Sequence, residues 1–349
     1  MTDKRTIGHF KGCLLGGALG DALGAPVERM TLDEIRRAFG SSGVTEFHPI
    51  YERRGAITDD TQMTLFTTEG LILSQVRRDY QENNGVVTAV YHALLRWLYT
   101  QDTSKQHQLI RTFGSCSIVD GILTGYHELF SNRGPGKTCL TALRSGQMGT
   151  MTHPINDRKG CGGLMRIAPV GLAYEDAEKA FDLAAQCAAI THGHPTGYLS
   201  AGFLAALISI IGTGQSLETA ITLSTDILKG YAGHGECLNA IDQARSLAAS
   251  AQPSPETIET MGEGWVAEET LAISLYCALI HGNDFRKGVL LAVNHSGDSD
   301  STGAVFGQIS GAMIGLQALP EDLLMDLELK EVIEEMAEDL FERFTPQTS

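Results

Sequence analysis

The sequence is short of bases. Its 349 residues carry 26 Lys and Arg against 42 Asp and Glu, a formal charge of −16. A protein that tracks a phosphate backbone needs a basic face, so nucleic acid is not the expected partner. An anionic small ligand stays open, because backbone N–H groups and single cations supply local positive potential. Cysteine is scarce and odd in number. The seven, at 13, 116, 139, 161, 187, 237 and 277, form no Cys-x-x-Cys pair. That leaves no disulfide framework and suggests a reducing compartment. No apolar run is read as approaching the ~18 residues that span a bilayer, so no membrane partner is expected. The stretch "CLLGGALGDALGA" (13–25) mimics an export signal, but Asp21 and the five glycines of 12–24 make a helix the better reading. A cytoplasmic location is therefore expected. Linkers are missing too. "SAQPSPET" (250–257) is short enough for a loop, and "TPQTS" (345–349) reads as a frayed tail. One domain over 1–349, with its core at about 9–343, is the expected organisation.

What is present is helical. Hydrophobic residues make up 43% and the mean hydropathy is −0.04, enough to build a core. Helical spacing of apolar residues covers 9–24, 31–39, 58–77, 86–99, 137–145, 175–191, 195–212, 216–229, 235–249, 266–281, 284–294, 300–317 and 328–343. Strand-like alternation is nearly absent. The expected fold is all-α, a compact orthogonal bundle of a dozen or more helices. Two of these helices carry a glycine every fourth residue: Gly12, Gly16, Gly20 and Gly24, then Gly303, Gly307, Gly311 and Gly315. Each mid-helix glycine costs about 1 kcal/mol relative to alanine. Close approach of another backbone is the usual compensation, so both helices are predicted to be central, each a candidate partner for the other.

Two short acidic clusters stand some 240 residues apart. "ITDDTQMT" (57–64) places Thr58, Asp59 and Asp60 at a helix start. "HSGDSDSTG" (295–303) places Asp298, Asp300, Ser301 and Thr302 at another. Each alone fits helix capping, in which a hydroxyl binds free N–H groups and acids face the positive end of the dipole. An EF-hand reading of the second fails, because the closing glutamate position holds Ile309. Together they form a hard, all-oxygen ligand set suited to Mg²⁺, Mn²⁺ or Ca²⁺ rather than zinc. Two ions sharing a carboxylate would relieve the repulsion among four acids.

With "GCLLGGALGDALGAPVE" (12–28), "GPGKTCLTAL" (134–143), "KGCGGLMRIAPVGL" (159–172), "THGHPTGY" (191–198) and "HSGDSDSTGAVFGQISGAMIG" (295–315), the chain resembles the ADP-ribosylglycohydrolase family over about residues 9–317. The resemblance implies an all-helical fold with a binuclear magnesium or manganese centre. By position, Thr58, Asp59, Asp60 and Asp300 would bind one ion, and Asp298, Asp300 and Ser301 the other. Family members often have threonine where Ser301 stands; the hydroxyl is kept. Glu28 occupies the place of an acid that gates the site in part of the family. The implied substrate is an ADP-ribosylated protein, with ADP-ribose as product. Asp60 or Glu28 would transfer the proton, with Asp300 in the same catalytic group.

Other residues fill expected roles. Gly160, Cys161, Gly162 and Gly163 form a loop that lets backbone approach phosphates. Asparagine often stands where Cys161 does in the family. "GPGKT" (134–138) lacks the first P-loop glycine, replaced by Ser131, so no nucleoside triphosphatase is read and Lys137 is taken as a surface charge. His192 is placed by resemblance at the distal-ribose pocket. It and His194 otherwise read as structural hydrogen-bonding groups, and Arg166 as a buried, paired support. The style of "KGCGGLMR" and "GPGKTCL" resembles bacterial members acting on arginine-linked ADP-ribose. Serine-linked or other conjugates are the alternative. An immunity protein that binds an ADP-ribosyltransferase toxin is the reading from another class.

Overall fold

The computed structural model describes residues 4–77, 85–250 and 252–345. Among them the chain is all-helical, with no strand and two isolated bridges, Ile50 with Arg53 and Gly160 with Val266. The helices, in order, are α1 (Ile7–Gly24), α2 (Leu32–Phe39), α3 (Asp59–Val76), α4 (Val86–Gln101), α5 (Gln106–Phe113) and α6 (Ser115–Val119). There follow α7 (Lys137–Arg144), α8 (Ala168–Ala173), α9 (Ala177–Ala189), α10 (Pro195–Gly212), α11 (Leu217–Leu228) and α12 (Gly235–Ser250). The last are α13 (Pro255–Glu259), α14 (Ala267–His281), α15 (Phe285–Val293), α16 (Ser299–Ile314), α17 (Glu321–Asp326) and α18 (Lys330–Phe344).

The two glycine stripes meet. A Cβ on Gly12, Gly16 or Gly20 would lie 2.6, 2.4 or 1.9 Å from the carbonyl oxygen of Gly311, Gly307 or Gly303 respectively. The partners' numbers fall as those of α1 rise, so α1 and α16 run antiparallel with their backbones in contact. The dispersion and burial gained along this seam offset the weak helix propensity of glycine. Around it, α18 covers α1 with Phe341 edge-on to Phe10, ring centroids 5.3 Å apart. α3 packs on α4 through Gly70, where a Cβ would stand 2.6 Å from the Cα of Val90. A buried polar cluster ties the same pair: Gln62 Oε1 accepts from Trp97 Nε1 at 3.2 Å and from Gln101 Nε2 at 3.0 Å.

All thirteen predicted helices form, within a few residues of their expected ends. The short helices α5, α6, α8, α13 and α17 were not anticipated; segments of five to eight residues are held by packing more than by pattern. α13 begins inside the stretch read as a loop, with Pro255 at its first turn and Ser254 Oγ accepting from Thr257 N. Of the expected tail, 346–349 lie outside the described residues. One expectation is corrected. α10 spans 18 residues at mean hydropathy 1.5, long and apolar enough to cross a membrane by length and composition. It is 89% buried, enclosed by α8, α9, α11 and α14, and a helix surrounded by others is apolar all round.

Candidate metal centre

The site is built from two helix starts. At the first, Thr58 caps α3, its hydroxyl oxygen accepting from Asp60 N at 3.2 Å. Asp21, one turn before the end of α1, holds this start in place. Its carboxylate accepts from Thr58 N (3.0 Å), Thr58 Oγ1 (2.7 Å), Thr61 N (3.1 Å) and Thr61 Oγ1 (2.5 Å). Asp21 is fully buried, and burial pushes its carboxyl up to about 6 despite those four donors. Sequence reasoning passed over Asp21 as a site residue. The signal was there: one acid in a glycine-striped helix whose other charge, Lys11, lies a few turns earlier.

At the second start, the α1–α16 seam sets the position. A Cβ on Gly24 would lie 2.5 Å from the Cα of Asp300. Asp298 occupies the N-cap of α16, but its side chain makes no capping bond. Its Oδ2 instead accepts from the Cys161 thiol at 2.9 Å. Asp300 Oδ1 accepts from Ser301 N at 3.0 Å, and Ser301 Oγ points at Cys161 Sγ (3.5 Å). Capping therefore accounts for Thr58 but leaves the purpose of these acids open.

Both clusters open on one cavity of about 690 Å³, within the usual range for a small-molecule site. Asp59, Asp60, Asp298, Asp300, Ser301 and Glu28 line it, as do Gly160, Cys161, Gly162 and His192. Thr58 and Gly163 lie behind the surface. A Cβ on Gly163 would stand 3.1 Å from Ala188 Cβ, so packing requires that glycine rather than ligand access.

The acids strain one another. Burial raises the Asp59 carboxyl well above its usual range, against a hydrogen bond from Gly136 N (3.1 Å) and with the charges of Asp21, Asp298 and Glu28. Burial and the charges of Asp21, Asp59 and Asp298 do the same to Asp60, and burial with Asp60, Asp298 and Glu28 to Asp300. Burial also raises Asp298, while bonds to Asp300 and Cys161 hold it lower. Asp60 Oδ1 is buried with no hydrogen-bond partner. A buried, unpaired carboxylate oxygen is costly, and a cation is the group that would satisfy it. Among the described residues no three acidic, His or Cys side chains stand as a closed cage. The donor set is nonetheless oxygen-rich and dense in negative charge, which fits a hard divalent cation.

The glycine-rich strap at 159–163 forms the wall beside Asp298 and Ser301. Cys161 N donates to Trp265 O (3.3 Å) and Ala267 N to Lys159 O (2.9 Å), zipping the strap to the start of α14. The Cys161 N–H is thus spent on protein and not free for a phosphate, which narrows the expected backbone cradle. Burial raises the Cys161 thiol, with Asp298 and Asp60 adding to it, so it is no thiolate nucleophile. Arg166 is fully buried beneath, bound to Gly162 O, Cys187 O (3.3 Å) and Thr191 Oγ1 (2.9 Å). Its partners are these two carbonyls, this hydroxyl and the Cys139 sulfur (3.6 Å), which hold it as the buried, paired support expected. The His192 ring, packed beside Gly162 and bonded to Thr191 Oγ1 (2.9 Å), is held down to about 3 by burial and the Arg166 charge. It is a neutral wall. His194 caps α10, accepting from Thr196 N.

Several wall residues were not anticipated. Lys137, expected as surface charge only, is exposed but borders the cavity with Gly134, Pro135 and Gly136. Tyr51 stands close by, since a Cβ on Gly134 would come 3.2 Å from its hydroxyl and 3.8 Å from Glu28 Oε2. At the mouth, Arg29 Nε donates to Glu28 Oε1 (2.9 Å), and its guanidinium lies 6.0 Å from the Trp265 ring centre. Tyr51, Arg29 and Trp265 lie outside every motif singled out above, while 134–137 belong to one read there as a failed P-loop.

Comparison with known proteins agrees with this architecture. The family model described as ADP-ribosylglycohydrolase matches residues 2–349. The chain is 24% identical to ADP-ribosylarginine hydrolase Tri1 of Pseudomonas putida (strain GB-1), over 98% of this chain and 80% of that one. It is 23% identical to human ADP-ribosylhydrolase ARH3, over 97% and 94%. A solved structure described as an ADP-ribosylglycohydrolase-related protein complex superposes with a TM-score of 0.67 at 26% identity, covering 99% of this chain and 100% of that one. With its helical fold, its paired acidic helix starts and a match along its length, the chain belongs to the ADP-ribosylglycohydrolase family.

Proposed function

We propose that the protein is a divalent-metal-dependent hydrolase that removes ADP-ribose from protein side chains, arginine foremost. Family membership supports a glycohydrolase acting on ADP-ribose conjugates. The observation that carries the metal reading is the convergence of Asp59, Asp60, Asp298 and Asp300 on one cavity wall, with Asp60 Oδ1 unpaired. Thr58, Asp59, Asp60 and Asp300 would hold one Mg²⁺ or Mn²⁺, and Asp298, Asp300 and Ser301 a second. Bound there, the ions would supply charge neutralisation and Lewis acidity.

The chain's own residues supply the rest. The cavity admits the ADP-ribosyl group between the strap and the loop at 134–137, and the neutral His192 ring offers a wall without charge. Cleavage of the C1″–N bond builds positive charge at the ribose, which a wall of carboxylates favours. The attacking water must lose a proton and the leaving guanidine must gain one. Asp60, on the cavity wall, and Glu28, at the mouth, are the candidates for these transfers. The buried acids of the wall also suit a cationic arginine acceptor. The name of the Pseudomonas putida relative points the same way.

The test is release of ADP-ribose from arginine-linked and serine-linked substrates, each with Mg²⁺ and with EDTA. Metal-dependent release from arginine only, lost in Asp300→Ala, supports the proposal and its branch. Release from serine only reassigns the linkage. No release from either by folded, metal-loaded protein overturns the enzymatic reading.

A further inference from the structure

α1 carries the two contacts that align the two halves of the site. Gly20 and Gly24 set α16, and so Asp300, through backbone contact. Asp21, between them, sets α3 through four hydrogen bonds. We propose that Asp21 is a positioning residue for the metal centre, fixing both the first turn of α3 and the direction of the Thr58 hydroxyl. This rests on the metal reading above.

The argument is one of donors and acceptors. A threonine hydroxyl has one proton and two lone pairs. The Thr58 proton goes to Asp21 Oδ1 and one lone pair takes the Asp60 N–H. The second lone pair is left for a cation. Asp21 is surrounded by donors, two N–H and two O–H, which only a carboxylate accepts throughout. An asparagine in its place presents an NH₂ group to at least one of them. The nearest hydroxyls must then turn and accept, sending a proton where the lone pair was. Asp21→Asn therefore preserves shape while reversing the polarity of Thr58. Groups that orient metal ligands without touching the metal typically change affinity by roughly 10- to 100-fold.

The experiment is Mn²⁺ binding to the full chain, followed by electron paramagnetic resonance of free Mn²⁺, with circular dichroism as the check on folding. The expected result for Asp21→Asn is affinity weakened by about tenfold or more with the helical spectrum retained. Folded Asp21→Asn binding Mn²⁺ within about twofold of the parent overturns the proposal, on the same scale of effects. Thr58→Ser keeps the test decisive if Asp21→Asn does not fold. It keeps the hydroxyl but removes the methyl that restrains its rotation, so only the bond to Asp21 still directs it, and Mn²⁺ binding within about twofold of the parent is expected. A loss of about tenfold or more in folded Thr58→Ser would show that Asp21 does not fix the hydroxyl and overturn the idea. A parent protein that binds no Mn²⁺ refutes the metal reading itself, a separate outcome.

Discussion

Asp300 sits where both acidic clusters meet, raised by burial and by the charges of Asp60, Asp298 and Glu28. Asp300→Ala should lower ADP-ribose release by at least about 100-fold while leaving the protein folded, because removing one acid relieves repulsion in the metal-free chain. Steady-state release assays with a thermal melt in EDTA test both halves. His192 gives a second prediction. Its ring is held down to about 3, while in the unfolded chain it titrates near 6.5. Between those values the unfolded state binds the extra proton. His192 therefore contributes stability above about pH 6.5, and that contribution is lost as pH falls toward 3. His192→Gln should flatten the acid side of the stability profile by up to about 1.4 kcal/mol per pH unit, one proton's worth. The raised aspartates act in the opposite direction, so the difference between the two proteins in urea unfolding is the quantity to read.

At the scale of elements, the α1–α16 seam is the least tolerant part of the fold. A Cβ on Gly307 would meet the Gly16 carbonyl oxygen at 1.9 Å, and backbone cannot rotate aside. Gly307→Ala should cost about 3 kcal/mol or more, and Gly307→Leu should prevent folding. Gly235, at the start of α12, has nothing within 4 Å of such a Cβ. Gly235→Ala should change stability by less than about 1 kcal/mol. Equal urea midpoints for the two alanine variants would refute the packing account. Because the seam also sets the distance between the helix starts, mild seam variants should lose metal affinity along with stability.

At the scale of the molecule, a chain of formal charge −16 gathers four carboxylates into one buried wall. Divalent ions that bind only the folded state add RT ln(1 + [L]/Kd), about 2.7 kcal/mol at a hundred times Kd. Mg²⁺ or Mn²⁺ should therefore raise the unfolding midpoint and EDTA should remove the gain. An unchanged midpoint in Asp300→Ala and a shifted one in the parent would localise the effect to this centre.

Much of this was legible in the chain itself. Apolar spacing marked thirteen helices, since a 3.6-residue period belongs to the local backbone and survives any packing. Glycines every fourth residue announced two backbones in contact, because their helix cost demands it. Motifs named both acidic helix starts. Tertiary structure decided what depends on residues distant in sequence. Asp21 gained its meaning only when α3 came to lie beside α1. Cys161 N was lost to Trp265 and Gly163 fell behind the surface, because loops carry no period from which their course could be read; Lys137, the first residue of α7, came to the cavity edge because of where that helix packs. The enclosure of α10 by its neighbours, rather than its own composition, made an apolar 18-residue helix a core helix.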